Sequence, residues 1–389
     1  MNLKQVIQQH TETAIRDRRY LHENAEIGLE LPETKAYVMR RLTEMGYDPK
    51  PCGQSGVTAT VGTGTGPVLL LRADMDALPV PEESGEPFAS KNGHMHGCGH
   101  DLHTAILLGT AAVLKEKEEE LGGTVKLMFQ PAEEIFAGAR EMIENGALEN
   151  PKVDAALALH VFSEMPVGEI LMREGSFMAS VNGFQIDIKG RGCHGAQPEN
   201  GVDPILIGTH IHQNLQALPA RETSLTDGVL VTIGKFAAGN AANVIPDTAE
   251  MLGTMRTFNE PIREDMTGRI ETIVKQTAQM FRGEAAVTWL SDVPCVINDE
   301  GFTRTIRRIL DETEGLPEVG TAEPLTGSED FAFVAKEVPS TLFLLGAAHE
   351  DPDMRYPQHH PKVVFNEEAI PAGIHALSAC AIRWLNEQA

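Results

Sequence analysis

Two rhythms of apolar residues alternate along the first part of the chain. Residues 33–45 place Val38, Leu42 and Met45 at helical spacing, with Gly46 as a C-terminal stop. The stretch VTATV (57–61), the turn GTGTGP and the apolar run VLLLRAD (68–74) predict two strands, the second buried. A helix follows Asp101 on Leu102, Ile106, Leu107 and Leu114, ending near the acidic run 116–120, which reads as a solvated helix end. A strand at 124–129, a helix over GAREMIENG and a strand at 155–161 come next. Strands alternating with helices imply a largely parallel sheet covered on both faces.

The rhythm changes near Gly175. From about 178 to 290 the pattern reads as an extended stretch (FQIDIKG), a helix around 203–217, and two extended stretches near 229–235 and 249–257. A long helix over 260–281 and a last strand, VTWL, complete it. That order, β-α-β-β-α-β, is the pattern of a ferredoxin-like α+β unit. A strand at 341–346 and a terminal helix from roughly 366 to 386 then resume the mixed pattern. The expected fold class is α/β: a discontinuous mixed α/β/α domain over 1–177 and 292–389, with an α+β domain inserted at 178–291. No internal repeat or low-complexity tract interrupts it.

Charge and cysteine usage narrow the partners. The net charge of −24 argues against a phosphate backbone or an anionic membrane as partner. The five cysteines, at 52, 98, 193, 295 and 380, are odd in number, scattered and without a CxxC pair, which argues against a disulfide framework and a zinc ribbon. With no apolar leader in MNLKQVIQQHTETAIRDRRY and no apolar run of spanning length, the expectation is a cytoplasmic protein.

Chemistry concentrates in HMHGCGHDLH, residues 94–103. The C-G-H spacing lets the Cys98 thiolate and the His100 imidazole converge across a glycine turn as metal ligands. His94 and His96 are bystanders in this reading, and Asp101 and His103 support the ligands from behind. In QPAEE, Glu133 and Glu134 follow a predicted parallel strand, where open α/β sheets build their sites. Adjacent side chains diverge, so one carboxylate can bind metal while its neighbour faces a substrate water. Asp74 and His160 also stand at strand ends, and YPQHHPKVVF adds His359 and His360. The set offers enough N, O and S donors for two metal ions.

The motifs RADMDALP, MHGCGHD, QPAEE, ALHV, GCHGAQPENGVDPI, NVIPDTAEMLGTMRTF, GSEDFA and HHP stand in order from residue 72 to 361. In this the chain resembles hippurate hydrolases, N-acyl-L-amino-acid amidohydrolases and plant indole-acetyl–amino-acid hydrolases, of the aminoacylase and carboxypeptidase clan of two-metal hydrolases. The resemblance implies Cys98, His100, Glu134, His160 and His359 as metal ligands, with His359 favoured over His360 as the first residue of H-x-P. It implies Glu133 as general base and Asp76 as the residue that orients a ligand. In the inserted domain, which it implies is a lid and dimerisation domain, His194 resembles a histidine that reaches a partner subunit's site. Asn243 and Arg256 resemble the pair that holds the substrate carboxylate. Relatives often carry a histidine where this chain has Glu199, which leaves that position without an inherited role.

The implied reaction is hydrolysis of the amide bond of an N-acyl-L-amino acid by a homodimer holding two divalent ions per subunit, from zinc, manganese, cobalt or nickel. A thiolate can bridge two metals and a single imidazole nitrogen cannot, so Cys98 is the expected shared ligand. Two other readings compete: a dipeptidase or carboxypeptidase of the same clan, and a non-catalytic metal- or ligand-binding protein. The second has no need of a base such as Glu133.

Overall fold

A computed structural model describes residues 2–224 and 226–389. The chain forms two compact units. One comprises the chain through Gly175, Ile297–Glu323 and Asp330–Ala389; the other comprises Ser176–Val296 and Pro324–Glu329.

The first unit is built on an eight-stranded sheet. Its centre is four parallel strands, in the order Thr124–Gln130, Val68–Asp74, Ala155–Phe162 and Ser340–Gly346. All four are apolar and buried along almost their whole length, as strands covered on both faces must be. The flanks depart from the predicted parallel pattern. Gly56–Gly62 runs antiparallel beside Thr124–Gln130, and Ile170–Met172 runs antiparallel beside Ser340–Gly346. The strand at 57–61 was expected but not its direction, and Ile170–Met172, three residues long, leaves no periodic signal.

The helix His100–Glu116 is buried from His100 through Leu114 and runs through the interior of this unit. It packs against the N-terminal helix Leu3–Glu23 and the C-terminal helix Ala369–Gln388. A helix apolar on nearly every face belongs inside a large core. Pro32–Glu44 and the left-handed Gly46 fall where the pattern put a helix and its stop. The helices Leu3–Glu23 and Glu300–Asp311 were not expected.

In the second unit the four strands Leu230–Ala238, Thr248–Arg256, Asn182–Lys189 and Glu284–Trp289 form an antiparallel sheet in that order. The helices Pro204–Glu222 and Glu260–Met280 cover one face, closing a core of Phe184, Ile186, Met251, Ile211 and Ile270. This is the ferredoxin-like arrangement expected from the element order.

Candidate metal centre

The carboxyl ends of the central strands, with the loops that follow them, bring the chemistry of the first unit together. Gly99 makes the first turn possible. It is left-handed (φ 92°), and a Cβ there would stand 2.4 Å from Val161 Cγ2. Only glycine fits, and the chain can then carry Cys98 on one side and His100, the first residue of its helix, on the other. The QPAEE loop turns through a left-handed Ala132, and both of its glutamates are pinned from behind. Glu133 N–H and Glu134 N–H donate to the two carboxylate oxygens of Asp76, at 2.9 and 3.1 Å. His359 is also left-handed (φ 68°), held by donation of its N–H to Gly97 O at 2.8 Å. Such backbone costs on the order of 1–3 kcal/mol per residue and persists only where surrounding contacts enforce it.

Donor atoms of Cys98, His100 and His160 lie within 4.8 Å of one another, and so do those of Cys98, Glu134 and His359. Cys98 belongs to both groups. Its Sγ is 3.5 Å from His160 Nε2, and His359 Nε2 is 3.6 Å from Glu134 Oε1. Each inner imidazole spends its Nδ1 on a backbone carbonyl: His100 on Asp76 O (2.9 Å), His160 on Val161 O (2.8 Å). Both therefore aim Nε2 inward. Glu133 is buried, its carboxylate 4.0 Å from His100 Nε2.

This site calls for positive charge. His100 Nε2 and Glu134 Oε1 are buried without a hydrogen-bond partner. Burial, together with Asp76 and Asp74, outweighs His100 and pushes the Glu134 carboxyl up to about 7. Burial opposes a charge on His100, yet Asp74 and Cys98 hold its imidazole well above its ordinary value. Burial also raises the Cys98 thiol. Burial is the first cause at Glu134 and Cys98 and neighbouring acids the cause at His100, so these donors keep their protons where no counter-charge stands, and divalent cations would supply it. A thiolate, imidazoles and a carboxylate are also the donor types such ions take. The residues fit two divalent metals.

A second layer fixes the first. His103 Nδ1 donates to Asp74 Oδ1 (2.5 Å), and its Nε2 accepts from Val161 N–H (2.8 Å), which anchors the strand end bearing His160. Burial disfavours the Asp74 carboxylate, but Arg72, His100 and His103 hold its pKa well below the usual range. Arg72 reaches Asp74 (2.6 Å), Asp330 (3.0 Å) and Gln130 (2.9 Å) in the core beneath the site. Asp76 accepts from His100 Nδ1 through its carbonyl and from the two glutamate N–H groups through its carboxylate. Asp101, expected to support the ligands, instead bonds Arg18 (2.7 Å) and His22 (2.9 Å) of the N-terminal helix. Nothing in the apolar pattern marked Arg18 or His22.

The remaining expected residues lie in the second unit. His194 is exposed on a short ladder, Cys193–His194 with Val244–Ile245, and its Nδ1 accepts from Ala196 N–H. Asn243 is also exposed, and Gly195 N–H donates to its carbonyl at 2.8 Å. Half-buried Arg256 donates to Thr326 O (3.1 Å) and Ser328 Oγ (2.9 Å), at the start of the GSEDFA segment. Glu199 sits exposed in a single 3-10 turn, Pro198–Asn200.

Residues 70–383 match the sequence profile of peptidase family M20/M25/M40. The chain is 38% identical over 372 residues to an N-acetyl-L-cysteine deacetylase of Bacillus subtilis (strain 168), covering 95% of this chain and 87% of that protein. It is also 38% identical over 376 residues to IAA-amino acid hydrolase ILR1-like 4 of Arabidopsis thaliana, covering 95% and 85%. A solved dinuclear metal binding peptidase from the M20 family of Bacillus subtilis superposes with a TM-score of 0.84 at 35% identity, covering 98% of this chain and 100% of that one. With a profile match over most of its length and relatives of this identity over nearly all of it, the chain belongs to peptidase family M20/M25/M40.

Proposed function

We propose that this enzyme, a metal-dependent hydrolase of the amide bond of N-acyl amino acids, works through Glu133 as its proton carrier. Cys98, His100, Glu134, His160 and His359 would hold its two divalent ions. The observation that carries the assignment is the pair of donor groups that share Cys98, with Glu133 beside them. Metal ions held there supply Lewis-acid polarisation and a water acidic enough to act near neutral pH. Glu133, with its backbone clamped by Asp76, takes a proton from the attacking water and delivers it to the departing nitrogen.

Recognition of the amino-acid carboxylate falls to Arg256, with Asn243. Although burial lowers the Arg256 pKa, its hydrogen bonds to a carbonyl and a hydroxyl leave its charge unpaired by an acid and available to an anionic substrate. His194 is read as stabilising the oxyanion in the site of a second copy, which makes the enzyme a homodimer. Its exposure, with Nδ1 accepting from Ala196 N–H, supports that role. Thiolate and imidazole donors suit zinc, with manganese, cobalt and nickel also compatible. Five free thiols suit the reducing cytoplasm. Among the described residues no helix is long and apolar enough to cross a membrane.

Glu133→Gln should retain two metals by elemental analysis while hydrolysis of N-acetyl and N-benzoyl amino acids falls by about 10²–10⁴-fold. Turnover near the wild-type rate would remove Glu133 from this role. Cys98→Ser should lose metal stoichiometry as well as activity; two tightly held ions in that variant would exclude Cys98 as the shared ligand. Assaying dipeptides beside the N-acyl amino acids separates this substrate class from that of a dipeptidase.

A further inference from the structure

Immediately before His359 in the chain, Gln358 places its side-chain amide where three ligand-bearing segments meet. Its Nε2 lies 3.1 Å from Val161 O, 3.3 Å from Cys98 O, 3.7 Å from Cys98 Sγ and 3.5 Å from His160 Nδ1. A carboxamide has two N–H hydrogens and cannot serve four acceptors. His160 Nδ1 drops out, because it donates its own proton to Val161 O. The shortest contact takes one hydrogen, to Val161 O. The second is left between the carbonyl and the sulfur of Cys98. The main chain beside Gln358 has little freedom to move away, since His359 is fixed in its left-handed turn by Gly97 O.

We propose that Gln358 is a positioning residue that ties the Cys98 loop to the strand end carrying His160 and directs an N–H at the Cys98 sulfur. The inference rests on the reading of Cys98, His160 and His359 as metal ligands. An N–H aimed at a thiolate withdraws electron density from it and fixes its direction. In a shared ligand, direction sets how evenly two ions are held. Groups that orient a ligand from behind are commonly worth about 10–100-fold in metal affinity. A glutamine that merely tethers a surface loop would have no such effect on the sulfur.

Cobalt(II) titration of the metal-depleted full-length protein separates these roles, because thiolate-to-cobalt absorption in the near ultraviolet reports on the sulfur itself. Gln358→Met keeps the length of the side chain and removes the donor. Gln358→Asn keeps an amide that is too short to reach, and serves as the milder variant should the methionine disturb folding. Both should retain the far-ultraviolet circular dichroism of the parent. Both should bind cobalt about 10–100-fold more weakly, with the thiolate band moved to lower energy. Unchanged affinity and band position in both variants overturn the proposal. If the parent protein binds cobalt with no thiolate band, the assignment of Cys98 as a ligand fails instead, and this inference with it.

Discussion

Single residues decide this site in two different ways. Cys98, His100, the glutamate pair and His160, which the structure brings together, drew notice because donor types stand at predicted strand ends, while the choice of Glu134 over Glu133 came from the family resemblance alone. What holds them was not legible. Gln358 is an amide in a loop, and the left-handed Ala132 and His359 leave no mark in a one-letter sequence. Gly99 is the sharpest case, because a Cβ there meets Val161 Cγ2 at 2.4 Å and the ring of Phe365 at 3.2 Å while φ is 92°. Gly99→Ala should therefore cost about 1–3 kcal/mol in backbone strain alone, with the clash added. The displaced turn separates Cys98 from His100, so metal content should fall along with the melting temperature. A variant that melts lower yet binds two ions with parental affinity would show that the turn serves stability only.

At the scale of elements, the helix Leu3–Glu23 escaped prediction because its buried face carries Asp17, Arg18 and His22 among the apolar residues. These charges are satisfied within the core. Arg18 pairs with Asp101 (2.7 Å) and Glu367 (3.2 Å), and His22 with Asp101 (2.9 Å) and Glu82 (3.0 Å). The helix is thus bolted to the residue that follows His100. Burial disfavours the imidazolium of His22, but Asp101 and Glu82 outweigh burial and Arg18 and raise its pKa; His96 lies nearby, with ring centroids 6.1 Å apart. Burial likewise opposes the Asp101 carboxylate, and Arg18 and His22 drive its pKa down. The signs fix a window. The Asp101 contribution is present above about pH 4 and is lost as pH falls towards the depressed value; the His22 contribution is complete below about pH 6.5 and is lost as pH rises through the raised value. The melting temperature of the parent should therefore drop between pH 6 and 9 more steeply than that of His22→Gln, at equal metal occupancy. Parallel curves would show that His22 is neutral in the folded protein.

For the whole molecule, the alternation of strands and helices and the change of rhythm near Gly175 carried the α/β class and the ferredoxin-like insertion. The far edge of the large sheet stayed hidden because the strands Ile170–Met172 and Gly320–Thr321 are too short to show a period, and the pattern at 57–61 carried a strand but not its antiparallel direction. Homodimerisation with His194 acting across subunits has a test of its own. His194→Ala and Glu133→Gln are each expected to be inactive. Dissociated and reassociated together, a random two-fold dimer regains an intact combination in roughly a quarter of its sites. Mixed protein that stays inactive while sedimenting as a dimer would place His194 outside the partner's site. Chain order has a further consequence, which concerns synthesis. Ser340–Gly346 inserts beside Ala155–Phe162 in the centre of the sheet, and His359 comes later still. The strands and helices of Asn182–Trp289 are all made before either one emerges. A ribosome therefore releases a ferredoxin-like unit able to fold while the large sheet still lacks a central strand and the second donor group its last member. The second donor group is consequently completed late in synthesis, and chains stalled before residue 340 should expose the open flank of a buried parallel strand to chaperones and to one another.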